Sequence, residues 1–102
     1  MRRAIILAPE AAADLKALRA FDRAVGRDAM ERHLRHEPTK SRRSRIKRLK
    51  GVQRPQYRLR VGDIRIFYDV TDAVVEVLAI VSKSGAAAWL KRCGKMAPEE
   101  ER

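Results

Sequence analysis

The sequence predicts an α/β fold of the α+β type, in which a small, largely antiparallel sheet combines with two N-terminal helices and one short C-terminal helix. Two observations support this. Apolar residues recur at helical spacing in the first third of the chain, and from Tyr57 onward they alternate with polar residues at the period of two found in strands. Turn signals separate the alternating runs. The predicted element order is β-α-α-β-β-β-α.

The first third of the chain is predicted to contain one strand and two helices. Ala4–Leu7 is wholly apolar and includes β-branched residues, which predicts a buried strand. Pro9 suits the first turn of a helix, and the acidic Glu10 favours its positive N-terminal end. The apolar stripe of this helix consists of Ala11, Leu15 and Leu18. A second helix is predicted over residues 23–36, and Pro38 ends it.

The segment from residue 39 to residue 51 has little apolar content. Residues 39–45 are predicted to form a solvated loop or a helix end, because they offer almost no apolar side chain to bury. Ile46 and Leu49 are the only apolar anchors of the basic stretch that follows, and Gly51 marks a turn.

Three strands are predicted beyond this segment. Tyr57–Val61 and Ile64–Val70 each alternate apolar with polar residues, and the Gly-Asp pair between them is a two-residue turn signal. Residues 73–81 are apolar on nearly both faces, which predicts a central strand.

The C-terminal part is predicted to be a short helix followed by a tail. Ser84 is a candidate cap, Trp89 is the packing anchor of the helix, and Gly94 lies where the helix would stop. A chain of 102 residues without a long linker forms one domain, which we place at residues 1–96. The tail over residues 97–102 contains three consecutive glutamates and is predicted to be disordered.

Composition narrows the possible classes of protein. The hydrophobic set makes up 45% of the chain, which is ordinary for a folded domain. No apolar run approaches the ~20 residues of a membrane-spanning helix. Cys93 is the single cysteine, so an internal disulfide is impossible. These features predict a reduced, cytoplasmic protein with no membrane partner.

The chain carries a net charge of +11, and almost all of it lies in one segment. Residues 38–65 hold eleven basic residues and one acidic residue, so this segment has a net charge of +10. Such a concentration is typical of a nucleic-acid-binding surface. The alternative is a solvated basic loop that binds nucleic acid weakly and without specificity. The candidate RNA-binding residues in the first part of the segment are Arg45, Lys47, Arg48 and Lys50.

The Gly-Asp turn also fixes a hairpin register. Arg60 lies opposite Arg65 in that register. Arg58 lies opposite Phe67, and all four side chains share one face. Because like charges directly opposite each other are unfavourable, the pattern favours an anion bound between the arginines, with the Phe67 ring beside it for a base to stack on. The alternative is a solvated sheet face whose arginines are screened by salt.

The sequence RLKG at residues 48–51, the sequence YRLRVGDIRIFYDV at residues 57–70 and the apolar run at residues 75–81 carry a family resemblance. Together they resemble the RelE/ParE superfamily of bacterial toxins from type II toxin–antitoxin modules. The resemblance spans residues 2–93. It implies the small α/β fold of that superfamily, a cognate antitoxin as partner, and no metal or organic cofactor.

The resemblance also implies site residues. RelE-type members cut messenger RNA in the ribosomal A site, and their basic strand positions correspond to Arg58 and Arg60. Their post-turn arginine corresponds to Arg65, and a basic residue after the last strand corresponds to Lys83. This implies catalytic roles for Arg60, Arg65 and Lys83, which would stabilise negative charge at the scissile phosphate.

The sequence departs from the strongest nucleases of the superfamily at three kinds of position. Their lysines on the first hairpin strand are arginines here, their tyrosine in the final helix falls near Leu90, and a second basic residue after their last strand falls near Ser84. Arginine stays protonated up to a pKa above about 12, so it is unsuited to act as a general base. No residue is therefore assigned that role.

Three functional hypotheses follow. The first is a RelE-like endoribonuclease that cleaves messenger RNA in the ribosome and inhibits translation. The second is a ParE-like toxin that poisons DNA gyrase without cleaving RNA. The third is a relative with weak or no catalysis that mainly binds its antitoxin.

Overall fold

A computed structural model describes residues 2–40 and 45–97 of the protein. Its helices are α1 (Pro9–Ala17), α2 (Ala20–Leu34) and α3 (Ala86–Cys93), and a 3₁₀ turn at Lys83–Gly85 precedes α3. Its strands are β1 (Ala4–Leu7), β2 (Ile46–Arg48), β3 (Val52–Arg54), β4 (Tyr57–Val61), β5 (Ile64–Val70), β6 (Val74–Ser82) and β7 (Lys95–Met96). None of the described helices is long and apolar enough to cross a bilayer.

The described strands form a five-stranded sheet and a separate two-stranded sheet. The order in the larger sheet is β1-β6-β5-β4-β2, with β1 parallel to β6 and every other pair antiparallel. The smaller sheet pairs β3 with β7. The parallel pair arises because the chain crosses over through α1, α2 and the hairpin strands before β6 returns beside β1. The predicted α+β fold class is confirmed.

Helices α1 and α2 cover one face of the larger sheet, which we call the core face. Alternate strand residues point to the same face, so the apolar positions of β4, β5 and β6 meet the helix stripes there. Buried side chains of this core include Ala11, Leu15, Met30, Leu34, Ile46, Leu59, Ile66, Tyr68, Val75 and Val77. The core thus joins the two N-terminal helices to β2, β4, β5 and β6.

Two polar contacts complete the core face. The Tyr68 hydroxyl donates to the carbonyl oxygen of Pro38 at 2.6 Å, which holds the segment after α2 against β5. β1 ends at Leu7, so β6 has no strand partner on that side beyond Val77. The Asp14 carboxylate accepts the backbone N–H of Ile80 at 2.9 Å in place of a strand carbonyl.

Helix α3 lies on the other face of the sheet, which we call the α3 face. Trp89 stacks on Phe67, with ring centroids 5.0 Å apart and planes 8° apart. Both side chains are buried together with Ala79 in a second, smaller apolar cluster. The register shift between Phe67 and Tyr68 lets Leu78 and Ala79 both contribute to this cluster.

Carboxylates of β5 and β6 hold the smaller sheet against the α3 face. Arg54 donates to Glu76 at 2.9 Å and lies 3.2 Å from the Asp69 carboxylate. The Ala97 backbone N–H donates to the Gly51 carbonyl oxygen at 3.0 Å. The polypeptide after α3 is therefore tied to the turn between β2 and β3.

Most predicted elements are confirmed, but several details were wrong. The strands β2, β3 and β7 were not predicted, and α2 begins at Ala20, three residues earlier than expected. β1 is an edge strand, and Ile6 is 50% exposed, so this strand is not fully buried. Ser84 does not cap α3, whose N-cap is Gly85 without a side-chain hydrogen bond. Instead the Ser82 hydroxyl accepts the Gly85 N–H in the 3₁₀ turn.

Parts of two predicted segments cannot be compared with the structure. Of the loop predicted at residues 39–45, residues 41–44 lie outside the described residues. Of the tail predicted at residues 97–102, residues 98–102 lie outside them as well.

Candidate nucleic-acid interface

The β4–β5 hairpin has the register that the sequence predicts. Arg60 pairs with Arg65 and Arg58 pairs with Phe67 across the two strands. Gly62 has a φ of +57°, a conformation that glycine adopts without the steric cost other residues pay, and this permits the tight turn. Both arginine positions of β4 therefore lie on the α3 face.

Strand β2 adds a third row of cations on this face. Lys47 pairs with Arg58 in the antiparallel β2–β4 ladder. The Arg60 backbone N–H donates to the Arg45 carbonyl oxygen at 2.8 Å, which places Arg45 opposite Arg60. We call the resulting set the basic cluster; it consists of Arg45, Lys47, Arg58, Arg60 and Arg65.

The basic cluster is not balanced by a carboxylate of the described residues. Within residues 2–40 and 45–97, none of its members forms an ion pair. Burial lowers the pKa of Arg58, and the neighbouring guanidinium groups of Arg65 and Arg60 lower it further. The Arg58 Nε–H is also buried, and it has no acceptor among the described residues. The cluster is therefore a site of mutual repulsion that a bound anion would relieve.

Arg65 is held differently from the other members. It is only 7% exposed, and its Nη1 donates to the carbonyl oxygens of Gly62 at 2.9 Å and of Ile64 at 3.0 Å. Its guanidinium group turns back onto the hairpin turn. The structure therefore anchors Arg65 internally, although the sequence grouped it with the freely projecting cations.

The expectation that Phe67 offers a ring for base stacking was wrong for this conformation. Phe67 does lie on the α3 face, as the alternation requires, but it is 1% exposed. Trp89 of α3 already covers its ring. A base has no access to Phe67 while α3 is in this position.

Two of the other candidate RNA-binding residues lie apart from the basic cluster. Arg48 pairs with Tyr57, and its guanidinium carbon lies 5.1 Å from the centroid of the Tyr57 ring. Tyr57 in turn stacks on Tyr68 of the core face, so Arg48 belongs to that side of the sheet. Lys50 is exposed in the turn that contains Gly51, whose φ is +72°.

Lys83 lies at the hairpin-turn end of the α3 face. Its backbone N–H donates to the Asp63 carbonyl oxygen at 2.7 Å, and its side chain is exposed. Val81, two residues earlier, pairs with Arg65. Lys83 is therefore close in the fold to the turn that Arg65 anchors.

Sequence reasoning missed the place of Arg45 and Lys47 beside β4. Both were named as basic residues, but β2 was not predicted, so their pairing with the hairpin could not be derived. The available signal was the alternation of Ile46 and Arg48 with Arg45 and Lys47, which is too short to stand out. Among the described residues, no group of three His, Cys, Asp or Glu side chains is arranged to hold a metal ion.

The mixed sheet, the two N-terminal helices and the cationic strands define a small basic α+β protein with a RelE-like structure. A chain of the RelB–RelE antitoxin–toxin complex from Methanococcus jannaschii has a TM-score of 0.62 at 20% identity, covering 82% of this chain and 96% of that one. A chain of the RelE–RelB complex from Pyrococcus horikoshii OT3 has a TM-score of 0.61 at 24% identity, covering 81% and 97%. For the toxin–antitoxin complex RelBE2 from Mycobacterium tuberculosis the values are 0.58, 22%, 80% and 99%.

The family is given by the sequence match. Residues 5–86 match the family model of the ParE toxin of type II toxin–antitoxin systems, parDE. No curated protein sequence matches the chain. The chain belongs to the ParE toxin family, within the RelE/ParE superfamily, and is the toxin of a type II toxin–antitoxin system.

Proposed function

We propose that this toxin binds RNA through the β2 and β4 members of the basic cluster, Arg45, Lys47, Arg58 and Arg60, and inhibits translation by cleaving messenger RNA within the ribosome. The observation that supports this most is the pairing of Arg58 with Lys47 and of Arg60 with both Arg45 and Arg65. None of these cations forms an ion pair with a carboxylate among the described residues. An arrangement that is repulsive in the free protein becomes favourable when a phosphate chain lies across it.

The proposed reaction needs no metal. The ribose 2′-oxygen attacks the adjacent phosphorus, its proton leaves, and the bond from phosphorus to the 5′-oxygen breaks as that oxygen takes up a proton. Negative charge on the phosphate oxygens increases in the transition state, and the exposed Arg60 guanidinium is placed to stabilise it. Lys83, whose exposed side chain starts beside the hairpin turn, is the proposed proton donor to the leaving oxygen.

The removal of the 2′ proton is not assigned to the basic cluster. Its members are arginines and a lysine, side-chain types that carry hydrogen-bond donors and no acceptor. Even though burial, and after it the neighbouring charges, lower the pKa of Arg58, a guanidinium remains a poor base. The 2′ proton must therefore be accepted by a group outside the basic cluster.

Cleavage in a translation reaction tests the proposal. We expect the wild-type chain to cut a defined messenger RNA only when ribosomes are present. Arg60→Ala should reduce the cleavage rate by about 10²–10³-fold, the usual loss when one stabilising donor is removed. Arg19→Ala is the matched control, because it removes the same charge from a side chain that is 92% exposed at the start of α2.

Growth arrest gives a second readout of the same variants. Expression of the wild-type chain without antitoxin should stop growth, and Arg60→Ala should relieve the arrest while Arg19→Ala should not. An Arg60→Ala chain that folds and remains fully toxic would contradict the proposal.

Gyrase inhibition is the second candidate, and one observation favours it. Among the described residues the basic cluster offers no proton acceptor, and a toxin that acts only by binding a target needs none. A supercoiling reaction separates the two functions. Inhibited supercoiling with intact messenger RNA would support a gyrase poison and overturn the RNA cleavage proposed here.

We also propose that a cognate antitoxin neutralises the chain, with both proteins in the cytoplasm. The structural neighbours come from antitoxin–toxin complexes. An acidic amphipathic segment has the charge to cover the basic cluster. Co-expression with the product of the adjacent reading frame should restore growth, and continued arrest with a stable neighbouring product would contradict this pairing.

A further inference from the structure

We propose that the RNA strand runs along β2 and β4, where it contacts Arg45, Lys47 and Arg60, and that Arg65 anchors the hairpin turn without touching RNA. This rests on the proposed RNA-binding function and specifies the path of the strand. It differs from the expectation that the two strands of the β4–β5 hairpin share the phosphate contacts equally.

The β5 side of the α3 face is closed to a ligand. Phe67 is 1% exposed beneath Trp89, and Arg65 is 7% exposed with its Nη1 already bound to two carbonyl oxygens. Leu49 and Leu90 pack at the margins of the same apolar cluster. A phosphate chain that crossed β5 would have to displace α3.

The β2 side is open. Arg45, Lys47 and Arg60 are all exposed, and β2 is an edge strand of the larger sheet. Adjacent strands lie about 4.8 Å apart and alternate residues on one strand about 6.7 Å apart. Four cationic positions therefore form a small rectangle on one face of two strands: Arg45, Lys47, Arg58 and Arg60.

Arg58, the fourth position of the rectangle, is the reason why an anion would be favourable here. The Arg58 Nε–H is buried and has no acceptor in the described part of the chain, while the rest of this half-buried side chain lies between Lys47 on one side and Phe67 on the other. An anion above Lys47 and Arg60 would offset the repulsion that Arg58 experiences. The rectangle is two strands wide and is bounded by α3, so it has room for one sugar–phosphate chain.

The anchoring of Arg65 also has a consequence for the turn. The carbonyl oxygen of Gly62 accepts from Arg65, and the next carbonyl oxygen, of Asp63, accepts from the backbone of Lys83. Arg65 thus stabilises the local structure on which the start of the 3₁₀ turn rests. A residue with this role affects stability when it is changed, not the number of phosphates bound.

The salt dependence of RNA binding distinguishes phosphate contacts from structural ones. Binding of the full chain to a labelled, mixed-sequence single-stranded RNA is measured over a range of salt concentrations, and the slope of log affinity against log salt is compared among variants. Each lost phosphate contact reduces this slope by about 0.7 for a single strand. Arg45→Ala, Lys47→Ala and Arg60→Ala should each do so.

Arg65 is tested by two variants that keep its aliphatic stem. Arg65→Met and Arg65→Gln should leave the slope unchanged and lower the melting temperature, because each loses the paired contacts with the turn. Arg65→Gln also removes the charge and serves as the second variant should Arg65→Met not fold. Arg19→Ala should change neither quantity.

Several results would overturn the proposed path. A folded Arg65→Met chain whose slope falls by about 0.7 would place Arg65 on the RNA. Unchanged slopes for both Arg45→Ala and Lys47→Ala would show that the RNA does not run along β2. Either result, with ribosome-dependent cleavage intact, overturns the path alone, whereas a wild-type chain with no affinity for RNA overturns the proposed function as well.

Discussion

The core face and the α3 face of the larger sheet take their side chains from the same strands in alternation. On the core face, Leu59, Ile66 and Tyr68 are completely buried beneath α1 and α2. On the α3 face, the intervening residues divide into two environments. Phe67 lies beneath Trp89, whereas Arg60, its diagonal neighbour on β4, is exposed.

The difference shows what a period of two does and does not specify. Alternation determines which residues share a face, because successive side chains point to opposite sides of a strand. It does not determine what covers that face. The core face is covered along its length by two helices, while the single short helix α3 covers β5 and β6 and leaves Arg45, Lys47 and Arg60 exposed.

The largest expected effect comes from deleting the Trp89 side chain, which covers Phe67 on the α3 face. Trp89→Ala should lower the free energy of unfolding by about 3–5 kcal/mol, since it deletes a 95%-buried ring stacked on Phe67. Urea denaturation followed by circular dichroism measures the change. Arg92→Ala, on the exposed side of the same helix, should stay within about 0.5 kcal/mol of wild type. A loss below about 1 kcal/mol for Trp89→Ala would mean that α3 is a minor part of the fold.

The next effect concerns the hydrogen bond on the core face. Tyr68→Phe should cost about 1–3 kcal/mol, because the Pro38 carbonyl oxygen would be left buried without its donor. Burial raises the pKa of Tyr68 above its ordinary value of 10.0, and the native state therefore keeps the hydroxyl proton. Wild-type stability should accordingly fall above pH ~10 by a component that the variant lacks. Equal alkaline pH dependence in both chains would contradict this.

The hairpin illustrates how much of the fold the sequence predicts. The Gly-Asp pair requires a two-residue turn, and that turn alone determines the pairing of Arg60 with Arg65 and of Leu59 with Ile66. The core residues of β4 and β5 follow from the same alternation. These features are local, so neighbouring residues contain the information.

The features that sequence reasoning missed are not local. Phe67 is buried because Trp89, more than twenty positions later in the chain, folds back over it. β2 has only Ile46 as a buried anchor, so its strand character comes from pairing with β4. The direction in which the Arg65 side chain turns depends on carbonyl oxygens at the turn, which no residue pattern reveals.

Asp69 provides a smaller test at the boundary of the α3 face. Burial raises its pKa above the ordinary value of 3.8, although the Gln56 backbone N–H and the Arg54 guanidinium partly oppose the rise. The native state therefore binds a proton at a pH where the unfolded chain has released it. The stability of wild type relative to Asp69→Asn should fall as pH increases from about 4 toward neutrality. A relative stability that rises over this range would mean that the ion pair with Arg54 outweighs burial.

The smallest expected effect separates two consecutive residues on opposite faces. Arg48 lies over the Tyr57 ring, and a double-mutant cycle of Arg48→Ala with Tyr57→Leu should give a coupling of about 0.5–1 kcal/mol. Arg48→Ala should leave the salt dependence of RNA binding unchanged, whereas Lys47→Ala should reduce the slope by about 0.7. Both variants remove one positive charge from the same three-residue strand, so the net charge of the protein cannot explain a difference between them. Equal slopes for the two would mean that RNA responds to the overall charge of the basic segment, and the division of β2 into two chemically distinct faces would then have no role in binding.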